Sequence, residues 1–172
     1  MEELFYTIDE KYLCAADEVY SGNFAKGKVL LEQILEEEPG YAKAHFLLGR
    51  ICFHELGEFR RAEDHFRLAI QFNPELPWTY HAYLQLLIFL NEKEKALQLV
   101  ERALKINGIC EACILNEKGL ILERDKAFKE AALTYKRAIY LALDSCNETD
   151  FNNNLQRAER KLRGLKAYQY VT

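Results

Sequence analysis

GEFRRAEDHFRLAIQFNP, residues 57–74, carries the pattern of one short amphipathic α-helix. Its apolar residues recur at intervals of three, four and three positions, at Phe59, Ala62, Phe66 and Ala69. That spacing places them on one face of a helix, where they can be buried together. Asn73 and Pro74 predict the end of the helix, because proline cannot continue the hydrogen-bond ladder.

The same stripe occurs three more times, at a nearly constant interval along the chain. The copies are offset by 35, 34 and 35 residues. A repeat length in this range predicts a helical solenoid, in which each hairpin packs only on its neighbours. The other copies are Phe24, Gly27, Leu31 and Ile34; Ala96, Val100 and Ala103; and Phe128, Ala131, Tyr135 and Ala138.

The breaks between the stripes predict nine helices and no strand. Short turns make neighbouring helices antiparallel. We expect Thr149 or Asp150 to cap the last helix. The predicted helices cover about 4–20, 24–37, 41–56, 59–71, 77–90, 91–105, 110–124, 127–143 and 150–168.

The four copies resemble tetratricopeptide repeats. The pattern of that family has a tryptophan, Leu-Gly and an aromatic residue in the first helix, then Ala, aromatic, Ala and Pro. The second copy has one extra residue between Gly49 and Phe59, and another extra residue precedes the fourth copy. The third copy is the weakest, with Leu84 at the small-residue position and Lys93 at the aromatic one. The second copy matches through Leu48, Gly49, Gly57, Phe59, Ala62, Phe66, Ala69 and Pro74, with His45 where tryptophan is usual.

This resemblance implies an all-α, right-handed α-solenoid that forms a single domain over residues 1–172. Four hairpins would cover about 8–41, 42–76, 77–110 and 112–145. The helix at about 150–168 would cap the array, since terminal repeats need a polar outer face.

The resemblance also implies a binding site. In this family the first helices of successive hairpins line a concave groove that holds an extended or helical peptide. The groove positions here are rich in aromatic side chains, as peptide-binding hot spots are, although some of these rings are expected to fill space between helices. A hydrophobic ligand segment flanked by an acidic group would suit Phe46, Trp78 and Phe89 beside Arg50. The groove positions are Tyr12, Val19 and Tyr20; Lys43, Phe46, Arg50, Phe53 and His54; Trp78, His81, Gln85 and Phe89; and Asn116, Leu120, Glu123 and Arg124.

One branch of the family grips the C-terminal carboxylate of a chaperone with lysine, asparagine and arginine side chains. This chain lacks that set in both possible registers, so we expect no chaperone clamp. The corresponding positions hold Tyr12, Ala16, Leu47, Trp78 and Ala82 in one register, and Phe46, Arg50, Ala82, Cys113 and Glu117 in the other.

Charge and cysteine content set the broad class. The net charge is −4; residues 1–38 carry ten acidic residues against three lysines, whereas residues 151–172 carry five basic residues against one acid. Opposite charges at the two ends could favour head-to-tail contacts, but solvated capping faces are the preferred explanation, since terminal repeats need polar outer surfaces. The basic last helix lacks a groove-reading motif, so a nucleic-acid partner is not expected. The N-terminus has no basic region followed by an apolar core, and no run approaches about 18 apolar residues, so we predict neither a signal peptide nor a membrane span. Five cysteines fit no small secreted disulfide framework, so we expect a cytoplasmic location.

No motif indicates catalysis. Cys110 and Cys113 form a lone CxxC without the further ligands of a zinc site or the βαβ setting of a redox motif. The four histidines are expected on different helices and faces, outside any metal-binding pattern. We therefore predict a protein that is not an enzyme and needs no cofactor or metal: an adaptor or scaffold that binds a peptide or helix of another protein. The alternative is a self-associating structural subunit, with a homodimer as its simplest form.

Overall fold

The computed structural model describes residues 7–142 and 148–169 of the chain, and over these residues it contains helices and no strand. A π-helical turn, Cys52–Leu56, follows the third helix directly. The helices are α1 Ile8–Tyr20, α2 Phe24–Glu37, α3 Ala42–Ile51, α4 Phe59–Phe72, α5 Pro77–Phe89, α6 Lys93–Ala103, α7 Glu111–Arg124, α8 Phe128–Leu141 and α9 Glu148–Gln169.

The chain divides into two compact units, Met1–Leu86 and Leu87–Thr172, here called the N-terminal and C-terminal units. In the N-terminal unit α1 packs on α2, α3 on α4, and α2 on α3. In the C-terminal unit α7 packs on α8, α6 on α7, and α9 mainly on α8 with a smaller contact on α7. The single domain predicted over the whole chain stays a prediction.

Small residues let the paired helices approach closely, as the stripes predict. A Cβ atom built on Gly49 would lie 2.7 Å from the Phe66 ring, and one on Gly119 would lie 2.3 Å from the Tyr135 ring. Phe66 and Tyr135 are both fully buried, each seated on the glycine of its partner helix. The recurrent Ala62, Ala96 and Ala131 are also fully buried.

Local chemistry explains why several helix boundaries differ from the predicted ones. The first helix begins at Ile8 rather than residue 4, because Thr7 and Glu10 form a capping box. In this box the backbone N–H of Glu10 donates to Thr7 Oγ1, and the backbone N–H of Thr7 donates to the Glu10 carboxylate. Residues 4 and 5 lie outside the described part. Asn91 adopts a left-handed φ of 60° before the sixth helix, so it belongs to the turn and Glu92 is the N-cap.

The helix predicted over 41–56 is in fact α3 followed by the π-helical turn. A π turn takes up one residue more than the α-helix around it. It therefore accommodates the extra residue of the second repeat while Gly49 keeps its contact with Phe66. The turn ends at Gly57, whose φ of 65° suits a residue without a side chain.

The ends of the last two helices also differ. α8 ends at Leu141, and the predicted end at residue 143 lies outside the described residues. α9 begins at Glu148, so Thr149 and Asp150 lie in its first turn rather than at the cap. Acidic side chains in a first turn favour a helix through its dipole, which is consistent with this earlier start. Over the described residues, no helix has the length and apolar character needed to cross a membrane.

Candidate functional site

Five of the predicted groove residues come together in the N-terminal unit around one arginine; we call Tyr12, Tyr20, Phe46, Arg50 and Trp78 the Arg50 cluster. The Arg50 guanidinium carbon lies 5.8 Å from the Tyr20 ring centroid and 5.9 Å from that of Phe46. Both distances fit cation–π contacts. Among the described residues, no carboxylate lies within ion-pair distance of Arg50.

The rings of this cluster differ in how much surface they expose. Phe46 is only 7% exposed, whereas Trp78 is 48% and Tyr20 67% exposed. The Phe46 ring packs between Phe66 and the edge of Trp78, with centroids 6.5 and 6.4 Å apart. Phe46 therefore forms the floor of the surface, and Trp78 and Tyr20 are the rings that a ligand can cover.

Tyr12 lies at one edge of the cluster and stays protonated. Burial, with a smaller contribution from Tyr20, raises the pKa of its hydroxyl to about 12, and Arg50 partly opposes this increase. Its ring centroid lies 5.6 Å from that of Tyr41, and Lys43 Nζ lies 5.7 Å from the Tyr12 centroid. Next to it, Tyr41 donates a hydrogen bond to Asp9, so this edge already contains a paired carboxylate.

The other predicted residues of the N-terminal unit have different environments. Phe53, in the π turn, packs on His54 and Phe59, with ring centroids 4.3 and 6.2 Å away. Gln85 is exposed on α5. His81 is partly buried, and burial lowers the pKa of its imidazole, which favours the neutral form at pH 7.

In the C-terminal unit, three predicted groove residues contact the chain's own last helix. Asn116 accepts a hydrogen bond from Asn154 Nδ2 at 2.9 Å. Leu120 packs against the buried cluster of Ala131, Ala132, Tyr135 and Ala158, in which Ala158 belongs to α9. The third is Glu123. Asn116, Leu120 and Glu123 are thus involved in intramolecular packing, because α9 lies against both α7 and α8.

Glu123 is the centre of a buried network. It is 6% exposed and accepts hydrogen bonds from Tyr135 at 3.0 Å, Arg157 at 2.7 and 2.8 Å, and Lys161 at 2.8 Å. Burial alone would raise the pKa of this carboxyl, but the three donors outweigh it and lower the pKa to about 2. Sequence reasoning placed Glu123 on the groove and did not pair it with α9, because Arg157 is 34 residues away and only folding brings the two together.

Phe89 is the last residue of α5 and Arg124 is the last residue of α7, and both are exposed. Phe89 is 54% exposed. Arg124 Nη1 donates a hydrogen bond to the carbonyl of Ile88 and lines a cavity of about 250 Å³. Across the same cavity Lys93 Nζ and Asp125 Oδ2 form an ion pair at 2.6 Å. The cavity is smaller than most small-molecule sites, so a small-molecule ligand has little support there.

The four histidines lie on different elements, but two of them, on neighbouring helices, contact each other. His45 Nδ1 and His65 Nδ1 are 3.1 Å apart across α3 and α4, and His45 Nε2 lies 3.0 Å from the carbonyl oxygen of Pro39. Burial, with a smaller contribution from His45, lowers the pKa of His65 to about 4, so the two rings share one hydrogen bond as neutral imidazoles. Within residues 7–142 and 148–169 no three His, Cys, Asp or Glu side chains are grouped as metal ligands would be.

Glu117 was not singled out as a groove residue, although it lies on α7 between Asn116 and Leu120. Burial raises the pKa of its carboxyl to about 7. None of the described residues donates a hydrogen bond to it or offers it a cation. The sequence offers no means to distinguish it from an ordinary solvated glutamate.

Comparisons with known proteins agree with this fold. Two family models described as tetratricopeptide repeat match residues 15–77 and 79–110, which together make up more than half of the chain. No curated protein matches it in sequence.

Three solved structures illustrate the similarity. Pseudomonas aeruginosa pilF is 22% identical, with a TM-score of 0.78 over 95% of this chain and 72% of that one. YrrB, described as a TPR protein with an unusual peptide-binding site, is 16% identical, with a TM-score of 0.73 over 94% of this chain and 81% of that one. TTC0263, a thermophilic TPR protein in Thermus thermophilus, is 17% identical, with a TM-score of 0.69 over 91% of this chain and 83% of that one. At these identities the similarity shows the fold, and it confirms the predicted all-α solenoid class.

Proposed function

Because the chain belongs to the tetratricopeptide repeat proteins, a family of protein-interaction modules, we propose that it is a non-catalytic adaptor that holds a short peptide of another protein on the Arg50 cluster. The observation that carries this proposal is the Arg50 guanidinium, which lies within cation–π distance of the Tyr20 and Phe46 rings and has no carboxylate partner among the described residues. Exposed Trp78 and Tyr20 provide the apolar surface beside it. Aromatic residues and arginine are the side chains that dominate peptide-binding hot spots.

The chemistry of this surface selects a class of ligand. A guanidinium binds a carboxylate through two parallel hydrogen bonds, and the rings beneath it limit its freedom before binding. An apolar or aromatic ligand side chain would cover Trp78 and Tyr20. We therefore propose a ligand in which an aspartate or glutamate lies next to a bulky apolar residue, bound within the N-terminal unit.

Trp78 makes this proposal testable, because it is the only tryptophan of the chain. Peptides selected from a displayed random library would be synthesised and titrated against the protein while the fluorescence of Trp78 is followed. We expect the selected peptides to share an acidic residue beside an apolar one and to change the emission of Trp78. If the selected peptides carry no such pair, or leave the emission unchanged, this site is wrong.

Charge reversal at Arg50 gives the matched test. Arg50→Glu should weaken binding at least about tenfold, since loss of a charge-assisted contact costs about 1.5–3 kcal/mol. Arg50→Lys should have an intermediate effect, because an ammonium cannot form the bidentate contact. Arg60→Glu, the same charge change at an exposed position of α4, is the control and should bind as the unmodified protein does. Phe46 is a poor target, because its burial means that a substitution would disturb the fold.

A second candidate function, self-association, is favoured by one face of α8. Leu133 is 61% exposed and Tyr140 88% exposed, and a separation of two helical turns places both on the same side of the helix. Sedimentation at rising protein concentration separates the two functions: a monomer throughout the range would exclude self-association. A cytoplasmic location likewise stays a prediction.

A further inference from the structure

The first turn of α7 carries a pair of cysteines that the proposed adaptor function does not use. Cys110 and Cys113 are joined as a disulfide, and their Cα atoms are 5.3 Å apart. That separation lies within the range that disulfides require. The other described cysteines, Cys14 and Cys52, are free thiols.

The two sulphurs of this pair have different surroundings. Cys110 is exposed at the N-cap of α7, and its Sγ accepts the N–H of Cys113 at 3.3 Å. Cys113 is half-buried against a cluster that includes Phe151 of α9. One sulphur is therefore open to attack from solution and the other is sheltered directly behind it.

The local charges favour a reactive Cys110. The free N–H groups at a helix N-terminus stabilise a thiolate. Glu111, between the two cysteines, would oppose this with its negative charge. Its carboxylate is paired with Arg137 at 3.0 Å, however, and that guanidinium supplies a compensating positive charge.

We propose that Cys110 and Cys113 form a thiol–disulfide exchange site that reacts with disulfides of external thiols, a property separate from peptide binding in the N-terminal unit. In the reduced protein the Cys110 thiolate attacks one sulphur of the external disulfide, forming a mixed disulfide and releasing one thiolate. The Cys113 thiol then loses its proton to solvent and attacks Cys110 Sγ. That step closes the intramolecular disulfide and releases the second external thiolate. The protein loses two electrons and two protons, and the external disulfide is reduced to two thiols.

Cys14 supplies an internal reference, because it is an exposed thiol within α1 and away from a helix N-terminus. A helix N-terminus favours the thiolate at Cys110, but a more stable thiolate is also a weaker nucleophile, so the rates of attack at Cys110 and Cys14 should differ only modestly. The larger difference is in the product. Cys110 has a resolving cysteine and Cys14 does not, so the two should end in different chemical forms.

Glutathione disulfide is the probe, applied to the reduced full chain and followed by alkylation of the remaining thiols, trypsin digestion and mass spectrometry. Cleavage after lysine and arginine places Cys110 and Cys113 together on the peptide 106–118 and Cys14 on the peptide 12–26. We expect the peptide 106–118 to lose two hydrogen atoms and carry no glutathione, while the peptide 12–26 carries either glutathione or the alkylating group. Reduced glutathione in excess should reopen the pair.

Two serine variants test the order of attack. Cys113→Ser should trap glutathione on Cys110, and Cys110→Ser, which retains an N-cap residue, should leave Cys113 mostly unreacted. Circular dichroism would confirm that both variants fold. The reaction of the unmodified protein with glutathione disulfide tests the proposal even if a variant fails to fold. The proposal is overturned if the peptide 106–118 stays reduced while Cys14 reacts. It is also overturned if that peptide accumulates glutathione as Cys14 does, or if Cys113 reacts as fast as Cys110.

Discussion

The same substitution at two positions of α7 should change stability in opposite directions. Glu117 and Glu123 are six residues apart, and replacing either with glutamine removes a charge at almost constant shape. The pKa of Glu117 is raised to about 7 by burial, whereas the pKa of Glu123 is lowered to about 2, because its three hydrogen-bond donors outweigh burial. Their opposite shifts predict opposite effects on the free energy of unfolding.

The magnitudes follow from the shifts. Each pKa differs from the ordinary glutamate value of 4.5 by about 2.5, which corresponds to about 3 kcal/mol between the two protonation states. Glu123→Gln should therefore lower the free energy of unfolding by about 3 kcal/mol near pH 8. Glu117→Gln should raise it by about 2 kcal/mol, a smaller figure because water reaches part of that carboxylate.

The pH dependence separates the two residues further. A raised folded pKa destabilises the ionised state, so the penalty from Glu117 grows as pH rises from 4.5 to about 7 and is complete above that pH. A lowered folded pKa acts in the opposite sense. The contribution of Glu123 is complete above 4.5 and is lost as pH falls towards about 2. Near pH 4, Glu117→Gln should consequently have almost no effect, whereas Glu123→Gln should still destabilise.

Urea unfolding followed by circular dichroism, at both pH values, measures these differences. Hydrogen exchange of α9 adds a local reading, because Arg157 and Lys161 hold that helix to Glu123. We expect faster exchange of α9 in Glu123→Gln and unchanged exchange in Glu117→Gln. The reasoning is refuted if both variants shift stability in the same direction near pH 8, or if Glu117→Gln stabilises equally near pH 4.

Four further substitutions test the packing and capping of the helices, the first three of them by urea unfolding. Gly119→Ala should destabilise by about 2 kcal/mol despite the better helix propensity of alanine, since its Cβ would meet the buried Tyr135 ring at 2.3 Å. The same change at Gly164, where no heavy atom lies within 4 Å of the new Cβ, should stabilise by about 0.5–1 kcal/mol. Ala62→Leu should cost about 1–3 kcal/mol by overpacking a site with no exposed surface, and a neutral result would contradict the close helix approach. Thr7→Ala should cost about 1 kcal/mol by removing the capping box, measured as faster hydrogen exchange in the first turn of α1.

The positions of the helices could be predicted from the sequence, because the apolar residues that become buried recur at intervals of three and four positions. Phe66 and Tyr135 fall on the stripe that the sequence shows, and both are fully buried in the structure. The boundaries were less predictable, since they depend on single contacts. Thr7 caps α1 only through Glu10, and the left-handed Asn91 could equally have begun a helix by its residue type.

The candidate site was predictable only in part, for a physical reason. The repeat pattern proposes groove positions, five of which the structure places together in the Arg50 cluster, but it did not show that Phe46 is buried against Phe66. It does not show whether another segment of the chain covers those positions. The contact of Asn154 with Asn116 joins residues 38 positions apart, and no local rule connects them.

Arg50 and Leu120 show why equivalent repeat positions have come to differ. Each follows the glycine of its first helix directly, Gly49 or Gly119, so the backbone presents both side chains in the same way. In the C-terminal unit α9 packs on α8 and touches α7, and an apolar side chain is suited to the buried cluster that results. In the N-terminal unit the equivalent residue is an arginine within cation–π distance of two rings and without a carboxylate partner among the described residues. A cation in that setting gains from a carboxylate supplied by another molecule, which is why the proposed peptide site lies at Arg50 rather than at Leu120.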